Sequence, residues 1–269
     1  MVELGRMNNN FNKASFLPIS KEDLKQRTGS SGNWKKLDII LITGDAYVDH
    51  PSYGVAIIGR VLEDAGFKVG IIAQPNWRNS EDFLRLGKPE LFFGITAGNL
   101  DSILSNYTIN RLPRKNDDYS PGGKPGLRPN RATIVYANKV KEIFPDTPIV
   151  LGGIEASLRR LAHYDYWSDD IRRSILIDAK ADILVYGMGE KQIVEIARRM
   201  RAGDEIKDNE ASLIPGTVIV RSNLEGLKDY ILIPSFEEVS ADKDKFNEAF
   251  KAFYSECDPF RGKTIVQPH

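Results

Sequence analysis

Short apolar runs alternate with stretches of helical spacing along most of this chain. Leu37 to Thr43, Lys68 to Ala73, Leu91 to Thr96, Ile149 to Leu151 and Ile183 to Tyr186 are mostly rich in Ile, Leu and Val. Runs of this length that stay apolar predict strands covered on both faces. Between them, Val55, Ile58, Val61, Leu62 and Ala65 recur at helical spacing, and Gly66 follows as a stop. Thr133 to Phe144 and Glu190 to Arg201 have comparable spacing; the second carries arginines in its last turn, where they suit the helix dipole, and ends at Gly203. A shorter helix is expected over Glu81 to Leu86. Strands and helices in alternation, joined by right-handed crossovers, predict an α/β fold: a doubly wound, mostly parallel sheet with helices on both sides.

The pattern changes at both ends. Residues 1–33 read as a polar leader with a flexible Thr28-Gly29-Ser30-Ser31-Gly32 stretch, and Met1 to Lys13 lacks the apolar segment of a secretory signal. Residues 34–205 read as a Rossmann-like domain and residues 206–269 as a small C-terminal α+β extension. Within the extension, Thr217 to Val220 and Tyr230 to Ile233 look like two strands joined by a polar loop, ahead of an amphipathic helix near Asp242 to Glu256.

Composition narrows the function classes. With 269 residues, 41% hydrophobic and 28% charged, the chain is an ordinary globular sequence, long enough for one large core. Lysine plus arginine equals aspartate plus glutamate at 37 each, so no overall field draws it to nucleic acid or an anionic membrane. No apolar run approaches a membrane span. The single cysteine, Cys257, excludes an internal disulfide, which fits a cytoplasmic location. It also excludes an iron-sulfur cluster held by cysteines of one copy, since such a cluster normally takes three or four thiolates.

In open α/β sheets, ligands bind beyond the C-terminal ends of the strands. The first strand is followed by Thr43-Gly44-Asp45-Ala46-Tyr47-Val48-Asp49-His50-Pro51-Ser52-Tyr53-Gly54, a loop with carboxylates, an imidazole and phenols. It can hold a polar ligand; equally, Asp49 or Ser52 caps the next helix while His50 bonds locally. His50 with Asp45 and Asp49 as an ion site is a third option. Ala97-Gly98-Asn99-Leu100-Asp101-Ser102 follows the third strand, and helix capping accounts for most of it. Gly152-Gly153-Ile154-Glu155 follows the fourth and sets bare backbone beside a carboxylate, for a ligand or for a tight turn. Together these loops predict a crevice lined by Asp45, Asp49, His50, Asn99, Gly152, Gly153 and Glu155, suited to a large flat ligand. Neither G-x-G-x-x-G nor the phosphate-loop motif is present. With three histidines, one of them the last residue, no nucleophile, base and orienter can be assembled, and no catalytic residue is predicted.

Two segments fall outside that scheme. Asn106 to Arg131, with Arg111, Arg114, Asp117, Tyr119 and Arg128, is too long for a connector and reads as an ordered lid or interdomain contact. Arg159 to Trp167 alternates basic and aromatic residues, as a docking surface or as packing.

The segments Gly44 to Ser52, Ala97 to Ser102, Tyr119-Ser120-Pro121-Gly122-Gly123, Gly152 to Ser168 and Asp258-Pro259-Phe260-Arg261-Gly262-Lys263 resemble the N-terminal region of the YgiQ-type radical SAM proteins. The resemblance runs from about Phe16 to Gln267. It implies a flavodoxin-like, cobalamin-domain-like fold ahead of a radical SAM barrel whose C-x-x-x-C-x-x-C motif binds a 4Fe-4S cluster and S-adenosylmethionine. This sequence has no such motif, so no cluster ligand carries over and the chain is expected to stop before that barrel, its partner in cis or in trans. The implied function is an accessory domain that covers or orients an unknown substrate. The region is also similar to cobalamin-binding domains with D-x-H-x-x-G, S-x-L and G-G loops. Gly152-Gly153 agrees with that pattern, whereas Asp49 and His50 are adjacent and Gly54 lies four residues beyond His50, against histidine ligation of cobalt. A stand-alone module for cobalamin or another large ligand, and a protein-interaction domain, are the alternatives.

Overall fold

The computed structural model describes residues 16–269 except 27, 30, 31, 35, 205–212, 259 and 260. Most of the predicted leader, residues 1–15, lies outside the described residues, as do Ser30 and Ser31 of the predicted flexible stretch. Thr28–Gly29 pairs antiparallel with Gly32–Asn33. All five predicted core strands form: β1 (Ile39–Thr43), β2 (Val69–Ala73), β3 (Phe92–Thr96), β4 (Ile149–Leu151) and β5 (Ile183–Val185). They pair in parallel in the order 2-1-3-4-5. A sixth strand, β6 (Thr217–Val218), closes the edge antiparallel to β5. This is the flavodoxin-like order, whose topological switch point falls between β1 and β3.

The helices are α1 (Lys21–Gln26), α2 (Gly54–Asp64), α3 (Glu81–Leu84), α4 (Ser102–Asn106), α5 (Ala132–Ile143), α6 (Gly153–Leu158), α7 (Ile175–Asp178) and α8 (Glu190–Ala202). Strand side chains alternate across the sheet and feed two cores. Ile39 and Leu41 of β1 meet Val55 and Leu62 of α2 and Ile193 and Ile196 of α8 on one face. Ile40 and Ile42 meet Tyr136 and Val140 of α5 and Ile175 and Leu176 of α7 on the other. Burial on both faces is why these strands read as unbroken apolar runs.

Both strands expected in the extension form, in different sheets. Thr217–Val218 and Tyr230–Leu232 do not pair with each other: the first joins the main sheet, and the second, β7, pairs in parallel with β8 (Thr264–Val266). Between β7 and β8 run α9 (Phe236–Ala241), started by a Ser235–Glu238 capping box, and α10 (Lys243–Ser255). Ile233, Val239 and Ala249 form a small third core that packs on Leu161, Ala162 and Ile171 around the hairpin His163–Asp165/Asp170–Arg172.

Candidate functional site

At the C-terminal edge of the sheet, the loops after β1, β3, β4 and β5 are stitched into one crest. Asn99, after β3, bridges to the β1 loop: its side-chain oxygen accepts the Gly54 N–H at 3.1 Å and its amide donates to the Ser52 carbonyl at 3.0 Å. Asn99 therefore caps α2, a task for which Asp49 or Ser52 is one reading of the sequence. Asp49 is turned back along α2, where it accepts hydrogen bonds from Arg60. His50 is exposed, and its Nδ1 accepts the Ser52 N–H at 3.1 Å. A neutral imidazole bonded in this way carries its proton on Nε2, which leaves no lone pair there for a metal.

Asp45 and Glu155, both predicted crevice-lining groups, are each 1% exposed, and their carboxylates are used inside the protein. Asp45 Oδ2 accepts the Asn99 N–H at 2.6 Å, while Oδ1 meets Arg128 Nη1 at 2.6 Å. Arg128 also reaches Asp117 at 2.8 Å and the Ala97 carbonyl at 3.2 Å, with its guanidinium fully buried. Burial raises the Asp45 carboxyl above the usual carboxylate range, against the opposing pull of Arg128 and the Asn99 N–H. Arg128 thereby ties the long loop to the loops after β1 and β3. At its far end Arg111 donates to the Tyr166 carbonyl at 2.8 Å and stacks over the Tyr166 ring, and Tyr107 packs on Trp167 with ring centroids 4.3 Å apart. Much of the basic-aromatic segment is thus packing for this loop.

Glu155 gathers three donors where α4 and α5 begin: Ser102 N–H at 2.8 Å, Ser102 O–H at 2.5 Å and Thr133 N–H at 3.0 Å. A carboxylate there suits the positive ends of both helices. Asp101 caps α4 through the Ile103 and Leu104 N–H groups and pairs with Arg159, tying the β3 loop to α6. Ser157 accepts the Gly187 N–H at 3.1 Å, tying α6 to the loop after β5.

The two glycines differ. Gly153 has φ of 84°, and a Cβ there would lie 2.3 Å from Thr96 Oγ1, so the turn itself demands glycine. Gly152 is extended, with φ of −158° and ψ of −177°, and a Cβ there would meet nothing nearer than 3.9 Å. Neither space nor backbone requires a glycine at 152. Gly153→Ala is expected to lower stability by about 1–3 kcal/mol and Gly152→Ala to change it by less than about 0.5 kcal/mol, as measured by urea unfolding.

With Asp45, Asp101 and Glu155 turned inward, the crest presents apolar side chains outward beside the exposed His50 and Ser52. Val48 follows β1, Leu100 follows β3, Ile154 and Leu158 follow β4, and Met188, 87% exposed, follows β5. Leu104, Ile109, Leu112 and Tyr166 are also exposed, around α4 and the tip of the long loop. Asp45, Asp49 and His50 are not gathered around one point, and among the described residues no group of three or more His, Cys, Asp or Glu is placed to hold a metal. A 4Fe-4S cluster does not fit a chain with Cys257 as its one cysteine. Among the described residues no helix is long and apolar enough to cross a membrane.

The chain is similar to proteins called UPF0313 protein. One, from Clostridium botulinum (strain ATCC 19397 / Type A), is 58% identical over 254 residues, which are 94% of this chain and 38% of that protein. Another, from Methanosarcina acetivorans, is 56% identical over 281 residues, covering 95% of this chain and 37% of the relative. The chain thus spans less than two fifths of the length of these relatives. Among solved structures, a radical S-adenosylmethionine methyltransferase, TsrM, from Kitasatospora setae, with cobalamin and a [4Fe-4S] cluster bound, overlaps 68% of this chain and 27% of its own at a TM-score of 0.41 and 19% identity. An overlap that slight carries nothing over to this chain. The radical SAM N-terminal family model matches residues 16–269. The chain belongs to the radical SAM N-terminal family.

Proposed function

We propose that this chain is the accessory, substrate-covering domain of a YgiQ-type radical SAM enzyme, working in the cytoplasm against a catalytic barrel supplied in cis or in trans. The observation that supports this is the set of exposed apolar side chains over a buried polar network of Asp45, Arg128, Asp117 and Glu155, with bare backbone at Gly152. A surface of this kind excludes water and positions a neighbour. The cluster and S-adenosylmethionine belong to the barrel, where reductive cleavage of S-adenosylmethionine supplies the radical. This chain's part is to close the barrel mouth, with Gly152 and Gly153 against the substrate, Ile154, Leu158 and Met188 against the barrel rim, and His50, Asp49 and Asn99 at the crevice edge. Asp45 and Glu155 hold these loops from below.

Gly152 also favours a second reading, a module that lays a large flat ligand such as cobalamin on that bare backbone, without histidine ligation. One titration separates the two. The separately made remainder of the Clostridium botulinum relative is expected to bind this chain saturably by calorimetry. Ile154→Asp with Met188→Asp should weaken binding at least tenfold at unchanged melting temperature. Absence of binding, together with a visible spectral change on mixing with cobalamin, would replace the first reading with the second.

A further inference from the structure

The extension contains half of something. β7, α9, α10 and β8 make a β-α-β unit whose two strands, Tyr230–Leu232 and Thr264–Val266, pair in parallel with Ile231 opposite Ile265. Parallel strands are found in sheets covered on both faces, and a two-stranded ribbon is marginal by itself. One face is covered here and the other is partly open. Ile231, Ile233 and Ile265 point into the small core under α9 and α10, whereas Tyr230 and Leu232, one position out of phase, point to the other side; Leu232 is 62% exposed. Among the described residues no third strand pairs with either β7 or β8. The outer side of α10 adds Phe250 and Tyr254, exposed and stacked with centroids 6.2 Å apart.

The unit is held firmly against the rest of the molecule. Arg160 lies between the rings of Tyr186, after β5, and Phe253, on α10, at 4.6 Å from each. Gln267 accepts the Ala162 N–H at 2.8 Å and donates to the Pro234 carbonyl at 3.0 Å. A strand added to this pair would therefore sit at a set position relative to the crest.

We infer that the edge of the β7/β8 pair is an acceptor for a further strand, whose apolar side chains flank Tyr230 and Leu232 on the open face. The strand comes from the part of the polypeptide that the longer relatives carry outside the matched region. That region is 38% of the Clostridium botulinum relative, so more than half of its chain is available to supply the strand. Backbone hydrogen bonds along the open edge give the attachment, and burial of Leu232 gives the register. The inference is independent of what the crest binds.

Amide hydrogen exchange tests it, on this chain alone and on the full-length Clostridium botulinum relative. Amides of Tyr230–Leu232 and Thr264–Val266 are expected to exchange at least tenfold faster in this chain than the matching amides of the full-length relative. Aspartate at the relative's position matching Leu232 should abolish that protection while leaving the main-sheet amides unchanged. Equal exchange in the two proteins overturns the inference, as does protection that survives the aspartate. Protection in this chain alone that rises with its concentration makes the occupant a second copy and overturns it too.

Discussion

Replacing Arg128 with methionine is expected to lower stability by about 3–5 kcal/mol at neutral pH, because the substitution leaves Asp45 and Asp117 buried without their cation. The pH dependence distinguishes this from a simple packing defect. Burial already raises the folded-state Asp45 carboxyl above the ordinary carboxylate range, and loss of Arg128 raises it further. Between the unfolded and folded values the native state binds more protons than the unfolded chain, so stability falls as pH rises through that window. The variant is therefore expected to regain stability as the pH is lowered from 7 toward 5, more steeply than the parent. Urea unfolding at several pH values measures this; a loss that stays constant with pH would assign the effect to packing.

Replacing Glu155 with alanine is expected to lower stability by about 3 kcal/mol, since three donors at the starts of α4 and α5 lose one acceptor group. Glu155→Gln keeps one acceptor oxygen but turns an amide N–H₂ toward other donors, and should lose about half as much. The order parent, glutamine, alanine in urea midpoints is the expected result. If glutamine and alanine were equivalent, the carboxylate would not be holding the donors as the geometry requires. The crest loops hang on Glu155 through Ser102 and on Asp45 through Asn99, so both substitutions should also speed amide exchange there.

Much of the main domain is legible in the sequence because its signals are local. Five strands appear as apolar runs, and three helices carry periodic spacing, with Gly66 and Gly203 as stops at φ of 87° and 83°. The site is less legible. Asp45, Asp49, His50, Asn99 and Gly152 do lie in three neighbouring loops, and Gly153 and Glu155 at the start of α6, but their sequence does not say which way each side chain turns. Arg128 is 83 residues from Asp45, and its burial follows from the path of a loop with no periodicity to read. The same holds for β8: Thr264–Val266 is three residues long, and its signal is its pairing with β7.

By itself, then, the sequence determines the α/β class, the core strands, the absence of a cysteine-held cluster and the loops that can form a site, all of which depend on residue type and short-range spacing. The tertiary structure decides that Asp45 and Glu155 are internal supports, that Asn99 rather than Asp49 or Ser52 caps α2, and that the crest presents apolar side chains outward. It also decides the pairings in the extension, where Thr217–Val218 joins the main sheet and Tyr230–Leu232 pairs in parallel with Thr264–Val266. These depend on which distant groups meet once the chain is compact, because a buried carboxylate turns toward donors and a cation that sequence proximity does not supply.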